Sequence, residues 1–92
     1  MAMGVHVMNT PLSDAKATYE EGWRLIEERG LASPAGRLSH TAWLTGDVLH
    51  VFDVWESPEH MGAFMEQLQP ILEEVGMHVA GPPDVGEVLR RN

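Results

Sequence analysis

The sequence contains no cysteine, a single tyrosine, and only 6 basic residues against 14 acidic ones. Without cysteine the chain can form no disulfide and carry out no thiol chemistry, which weakly favours a reducing compartment. The net charge of −8 argues against nucleic acid or an anionic membrane as partner, because both attract basic surfaces. No apolar run could span a membrane, and the start is too short and too polar for a signal peptide. We therefore expect a soluble, cytoplasmic protein.

The length of 92 residues allows one domain, and we expect 1–92 to form it. A domain of this size buries only about 60–65% of the surface of its unfolded chain, so it gains stability from a partner.

A predicted β-hairpin around Gly46-Asp47 organises the chain, because β-favouring residues follow this turn pair. If these two residues form the loop, His40 lies opposite Asp53 and shares a face with it. A one-residue change in loop length would separate the pair. This register places Leu38, His40, Ala42, Leu44, Leu49, Val51, Asp53 and Trp55 on one face and Ser39, Thr41, Trp43, His50, Phe52 and Val54 on the other.

Two amphipathic helices flank the hairpin. The first is predicted to begin at the N-cap Ser13 and to stop at Gly30, with Tyr19 and Trp23 on its inner face beside Ala15, Gly22 and Ile26. The second is predicted to begin at Ser57-Pro58 and to end at Gly76, with a kink or a split at Pro70. Its apolar stripe consists of Met61, Phe64, Met65, Leu68, Leu72 and Val75.

Two outer strands complete the pattern, at Met3 to Met8 and at Val85 to Leu89. The order β-α-β-β-α-β predicts a ferredoxin-like α+β fold with an antiparallel sheet and both helices on one face. The other face would expose apolar side chains, and a second copy of the sheet is the simplest cover. We therefore predict a homodimer through the face that carries Trp43, His50 and Phe52.

The segment Asp53-Val54-Trp55-Glu56-Ser57, followed by an amphipathic helix and preceded by a strand with a histidine, resembles the dimeric α+β barrel superfamily. Within it, the chain is most similar to small antibiotic-biosynthesis-monooxygenase-like domains. Members include cofactor-independent oxygenases of polyketide quinones, polyketide cyclases, lactone isomerases and haem-degrading enzymes. The resemblance implies the fold and the dimer more firmly than a reaction. In haem-degrading relatives the tryptophan that Trp55 matches lies against the ligand.

His40 and Asp53 are the predicted catalytic pair. Asp53 would orient His40 and raise its basicity, so that His40 acts as a general base in an apolar pocket. The alternative is a structural pair that serves only conformational specificity. The predicted substrate-binding residues are Tyr19, Trp23, Trp55, Phe64, Met65 and Leu68, for which plain core packing is the alternative.

The five histidines do not predict a metal site, since no two have ligand spacing within one element. The resemblance also suggests haem as a ligand, because haem-degrading relatives bind its iron through a histidine of the second helix. Here that histidine is His60, in the first turn near the outer face, which argues against haem. We expect no cofactor.

The sequence favours an enzyme that acts on a small, apolar, aromatic or polyketide-like substrate. His40 would remove a phenolic or enolic proton, and oxygenation or cyclisation would follow without metal or flavin. The alternatives are a non-catalytic ligand-binding or interaction domain on the same fold and, more weakly, a haem-binding protein.

Overall fold

Four antiparallel strands form one sheet in the order β2-β3-β1-β4, and both helices pack on the same face of it. The structure is a computed structural model that describes residues 2–92. It confirms the predicted α+β, ferredoxin-like order. The elements are β1 (Met3–Met8), α1 (Ala15–Glu28), β2 (Arg37–Thr45), β3 (Val48–Trp55), α2 (Pro58–Val75) and β4 (Asp84–Glu87).

The hairpin of β2 and β3 has the predicted turn and register. Gly46 takes the positive φ of 62° that a two-residue turn requires, and Asp47 follows it. Next to the turn Thr45 pairs with Val48, and the pairing continues residue by residue to His40, which lies opposite Asp53. The predicted catalytic pair is therefore placed on one face by backbone geometry.

Beyond His40 the register departs from strict alternation. A bulge between Arg37 and Ser39 sets Ser39 against Val54 and Arg37 against Trp55. The sequence-based register had assigned Leu38 to the helix-facing side, and that assignment is wrong because the extra residue displaces it. Leu38 is instead exposed, and Arg37 turns toward the helices.

Helix α1 begins one residue later than predicted. Asp14, not Ser13, holds the N-cap position, and its side chain makes no capping hydrogen bond. The predicted stop is confirmed, since Gly30 has a φ of 73° directly after the C-cap Arg29. Leu25, which the predicted inner face left out, is buried with Ala15 and Gly22.

Helix α2 has the predicted ends. The Ser57 hydroxyl accepts a hydrogen bond from the His60 backbone N–H at 3.2 Å, Pro58 is the first helical residue, and Gly76 closes the helix with a φ of 77°. The helix runs without interruption through Pro70, so the predicted split into two helices is wrong. Pro70 is exposed, and one missing backbone bond on that side does not end the helix.

Ser57→Ala should lower the free energy of unfolding by about 1 kcal/mol, because it removes the cap of α2. It also removes the hydroxyl that lies 2.7 Å from His60 Nδ1. Urea unfolding followed by circular dichroism measures the effect. The matched control is Ser33→Ala in an exposed loop, and equal midpoints for the two variants would contradict the role of the cap.

The core lies between the sheet and the helices. Val5, Trp55 and Phe64 form its buried centre, and Trp55 is only 1% exposed. Ile71 of α2 is fully buried nearby in the same layer. These side chains hold α2 against β1 and β3.

The opposite face of the sheet carries a stack of three rings from three strands. His6, Trp43 and His50 lie with near-parallel planes, and the His50 and Trp43 centroids are 4.9 Å apart. His6 Nε2 and His50 Nδ1 share a hydrogen bond of 3.1 Å. Trp43 and Phe52 remain 43% and 37% exposed in the single chain. We call this surface, with Met8, the open face.

The C-terminal segment covers one end of the open face. The last strand is shorter than predicted and ends at Glu87. The chain then crosses the sheet, with Val88 N–H bonded to the Ala2 carbonyl and an Arg91 guanidinium N–H to the Leu38 carbonyl. No helix within residues 2–92 is long and apolar enough to cross a membrane.

Candidate functional site

A cavity lies between the helix-facing side of the sheet and the inner faces of α1 and α2. Its volume is about 120 Å³. An engineered cavity of about 150 Å³ binds benzene, so a cavity of this size suits a compact, flat molecule. The wall is mostly apolar and includes Val7, Ile26, Leu49, Val51, Phe64, Met65, Leu68, Ile71, Leu72, Met77 and Val79.

His40 and Asp53 meet at the polar end of this cavity. His40 Nδ1 lies 2.5 Å from Asp53 Oδ1, and the two side chains are 21% and 16% exposed. Because a carboxylate only accepts, the proton of this short bond sits on Nδ1. The two residues of the predicted pair are therefore in direct hydrogen-bond contact.

The second ring nitrogen of His40 also has a hydrogen-bond partner. The Tyr19 hydroxyl of α1 lies 2.8 Å from His40 Nε2, and the two rings are nearly parallel. Trp23, one turn further along α1, presents its ring to His40 edge-on with centroids 5.4 Å apart. The result is a continuous hydrogen-bonded chain from Asp53 through His40 to Tyr19, which we call the Asp-His-Tyr chain.

The hydroxyl of Tyr19 is held in its neutral form. Burial raises the pKa of Tyr19 above its ordinary value of 10.0, and the charge of Asp53 also raises it. The side chain of Trp23 and the charge of Arg37 lower the pKa of Tyr19, without reversing the direction. Near neutral pH Tyr19 is therefore a phenol that can donate to His40.

Arg37 is a charged residue of the cavity lining that was not predicted from the sequence. Its guanidinium carbon lies 5.8 Å from the centroid of Trp23 and 5.4 Å from that of Phe64, within cation–π range of both. One of its nitrogens donates to the Ala32 carbonyl at 2.9 Å. The bulge after Arg37 brings this cation to the cavity, and nothing in the residue types signals a bulge there.

The structure brings together most of the predicted site residues. Tyr19, Trp23, His40 and Asp53 line the cavity, as do the predicted Phe64, Met65 and Leu68. Trp55 does not, because its indole is enclosed in the core beside Val5. Trp55 is therefore a core residue and does not form part of the cavity wall.

The residues do not fit a haem group. The histidine of the second helix, His60, is exposed, bonds to Ser57 and does not line the cavity. The cavity side of α2 presents apolar side chains from Phe64 to Leu72, which cannot ligate iron. Within residues 2–92, no three histidine, aspartate or glutamate side chains are grouped so that they could hold a metal ion.

No protein-family model and no curated protein matches the sequence. Solved structures do match the fold over nearly its whole length. A candidate antibiotic biosynthesis monooxygenase from Chloroflexus aurantiacus has a TM-score of 0.71 at 19% identity, over 100% of this chain and 97% of that one. A second candidate antibiotic biosynthesis monooxygenase, from Caulobacter crescentus, has a TM-score of 0.67 at 16% identity, over 92% and 85%.

SnoaB from Streptomyces nogalater, a cofactor-independent oxygenase, superimposes with a TM-score of 0.72 at 9% identity, over 98% of this chain and 95% of that one. The chain therefore shares the ferredoxin-like α+β fold of these structures. At these identities the likeness establishes this fold and no reaction.

Proposed function

We propose that the protein binds a small, flat aromatic or polyketide-like molecule with an acidic phenol or enol in the cavity, and that it removes that proton. The Asp-His-Tyr chain at the end of an apolar cavity is the observation that carries this proposal. Proton acceptors of this kind are costly to bury and are typical of catalytic sites. The electron-rich anion would then react with O2 or close a ring, with no cofactor.

Arg37 supplies a positive charge opposite to that of the proposed ligand anion. Its guanidinium faces two aromatic rings of the cavity and bonds to one backbone carbonyl, which leaves donors for a ligand. A cation in a poorly hydrated cavity favours an anion formed from the ligand, and so lowers the barrier for its formation. One structural neighbour, SnoaB, is a cofactor-independent oxygenase, and that activity is consistent with this chemistry.

A non-catalytic binding domain is the second candidate. The observation that favours it is that both ring nitrogens of His40 already have partners. A fully satisfied polar network can simply fix the shape of a binding cavity. The two candidates differ in whether the ligand loses its proton and is converted.

The proposed function is tested with a panel of hydroxylated naphthalenes, anthrones and linear polyketide mimics. Binding is read from Trp23, whose fluorescence should change because its ring lines the cavity. Conversion is followed by oxygen uptake and by mass spectrometry. Binding with conversion supports the enzyme, binding without conversion supports the binding domain, and failure of every aromatic compound to bind would remove both.

Arg37→Met should weaken the binding of phenolate ligands about ten- to hundredfold, because it removes a charge-assisted contact of about 1.5–3 kcal/mol. Binding of a matched neutral methyl ether should change much less. Calorimetry measures both affinities. Arg90→Met, an exposed position of the C-terminal segment, is the matched control. Equal loss for the ether and the phenolate would mean that Arg37 acts by packing alone.

A further inference from the structure

The Asp-His-Tyr chain raises the question of which atom meets the ligand. His40 has two ring nitrogens, and the structure pairs one with Asp53 and the other with Tyr19. Neither nitrogen has a lone pair or proton left for a ligand. Tyr19, by contrast, is at the end of the chain, and its oxygen has acceptor capacity beyond the bond to His40.

The direction of the hydrogen bonds follows from the carboxylate. Since Asp53 accepts from Nδ1, a neutral His40 carries its proton there, and Nε2 is an acceptor. The Tyr19 O–H therefore donates to Nε2. This leaves the lone pairs of the Tyr19 oxygen, and not its proton, for a donor in the cavity.

We propose that the Tyr19 hydroxyl is the group that takes the proton from the ligand, while its own proton passes to His40 Nε2. The proposal deepens the proposed function and rests on it. In the step the ligand O–H or C–H bond breaks, a new Tyr19 O–H bond forms, and the former Tyr19 O–H bond breaks as Nε2–H forms. The ligand becomes an anion and His40 an imidazolium paired with Asp53, so charge and protons balance. Tyr19 is a catalytic residue in this scheme, and His40 is the proton store behind it.

The ionisation state of Tyr19 agrees with a relay. Burial and the charge of Asp53 raise its pKa, so a free phenolate is not present to act as the base. A group that gives its proton to His40 while it receives another never carries a full negative charge. Trp23 and Arg37, which lower the pKa of Tyr19, also line the cavity in which the ligand anion would form.

The test uses 4-nitrophenol, whose phenolate is coloured, with the whole wild-type protein and two variants, Tyr19→Phe and His40→Gln. Wild type should bind the compound and convert the bound form to phenolate at a pH where the free compound is mostly neutral. Tyr19→Phe should bind it with similar affinity but with an ionisation constant at least about tenfold smaller, one pKa unit. His40→Gln should show the same loss, because glutamine bonds to Tyr19 but takes no proton.

The outcomes separate the two proposals. If Tyr19→Phe binds and ionises the compound as wild type does, while His40→Gln does not, His40 acts directly and the relay is wrong, with the proposed function intact. If wild type binds no phenol, the proposed function fails and the relay with it. Circular dichroism checks that both variants fold.

A second measurement needs no variant. Long-range nitrogen NMR of wild type should show neutral His40 with its proton on Nδ1 and a bare Nε2. A neutral His40 protonated on Nε2 would overturn the relay, whatever the variants do.

Discussion

Replacement of His40 by alanine is expected to abolish conversion of a phenolic substrate, by a factor of about 10²–10⁴, while the protein stays folded. The reason is that His40 is bonded to both Asp53 and Tyr19, so its loss removes the proton store. Steady-state kinetics on a compound identified from the panel measures the effect. His78→Ala, at an exposed histidine whose side chain does not line the cavity, is the matched control and should retain full activity.

Asp53 variants extend this prediction. Asp53→Asn should reduce activity less than His40→Ala, since the amide keeps an acceptor but loses the charge that stabilises an imidazolium. Asp53→Ala should also lower the free energy of unfolding by about 1–3 kcal/mol, because it leaves a poorly hydrated imidazole N–H without a partner. A purely structural pair would behave differently: both positions would affect stability, and neither would affect ligand affinity or conversion.

Trp43→Asp is expected to dissociate or unfold the protein, if the open face pairs with a second copy as we propose. The wild type should then scatter light as twice the chain mass at micromolar concentration. The open face supports this expectation, because Trp43 and Phe52 stand exposed beside the histidine stack. An aspartate placed there would bury an unpaired charge in the assembly.

Leu44→Asp is a closely matched control for this experiment. Leu44 is the next residue of the same strand, is exposed to nearly the same degree (41% against 43%), and points to the opposite face. It should leave the oligomeric state unchanged. A wild-type protein that is a stable, well-folded monomer would remove the proposed dimer.

Much of the fold could be predicted because local signals decide it. The Gly46-Asp47 turn admits few geometries, and once it is fixed, strand alternation places His40 beside Asp53. Ser57-Pro58 and Gly76 likewise define α2 from nearby residues alone. Pro70 shows the limit of such signals, since a proline on the exposed side of a packed helix does not interrupt it.

What could not be predicted depends on the relative placement of elements. That Tyr19 and Trp23 face the cavity follows from helical spacing, but the bond from Tyr19 to His40 needs the distance between α1 and the sheet. The place of Trp55 could not be predicted for the same reason. Strand alternation predicts the face of the sheet on which Trp55 lies, but not whether it borders the cavity or is enclosed in the core. Which of two inward-facing aromatics reaches a cavity is settled by packing of the whole layer.

The β-bulge after Arg37 adds one residue to β2 relative to β3, and this offset turns the Arg37 cation toward the cavity. Strict alternation would turn Arg37 to the open face and set Leu38 against Trp55, so that this part of the cavity wall would carry an apolar side chain in place of a cation. The charge of the cavity wall therefore depends on the register of β2 as well as on its side chains. For protein engineering, the register of β2 at this point is a second way, beside the substitution Arg37→Met, to remove the cation from the cavity wall.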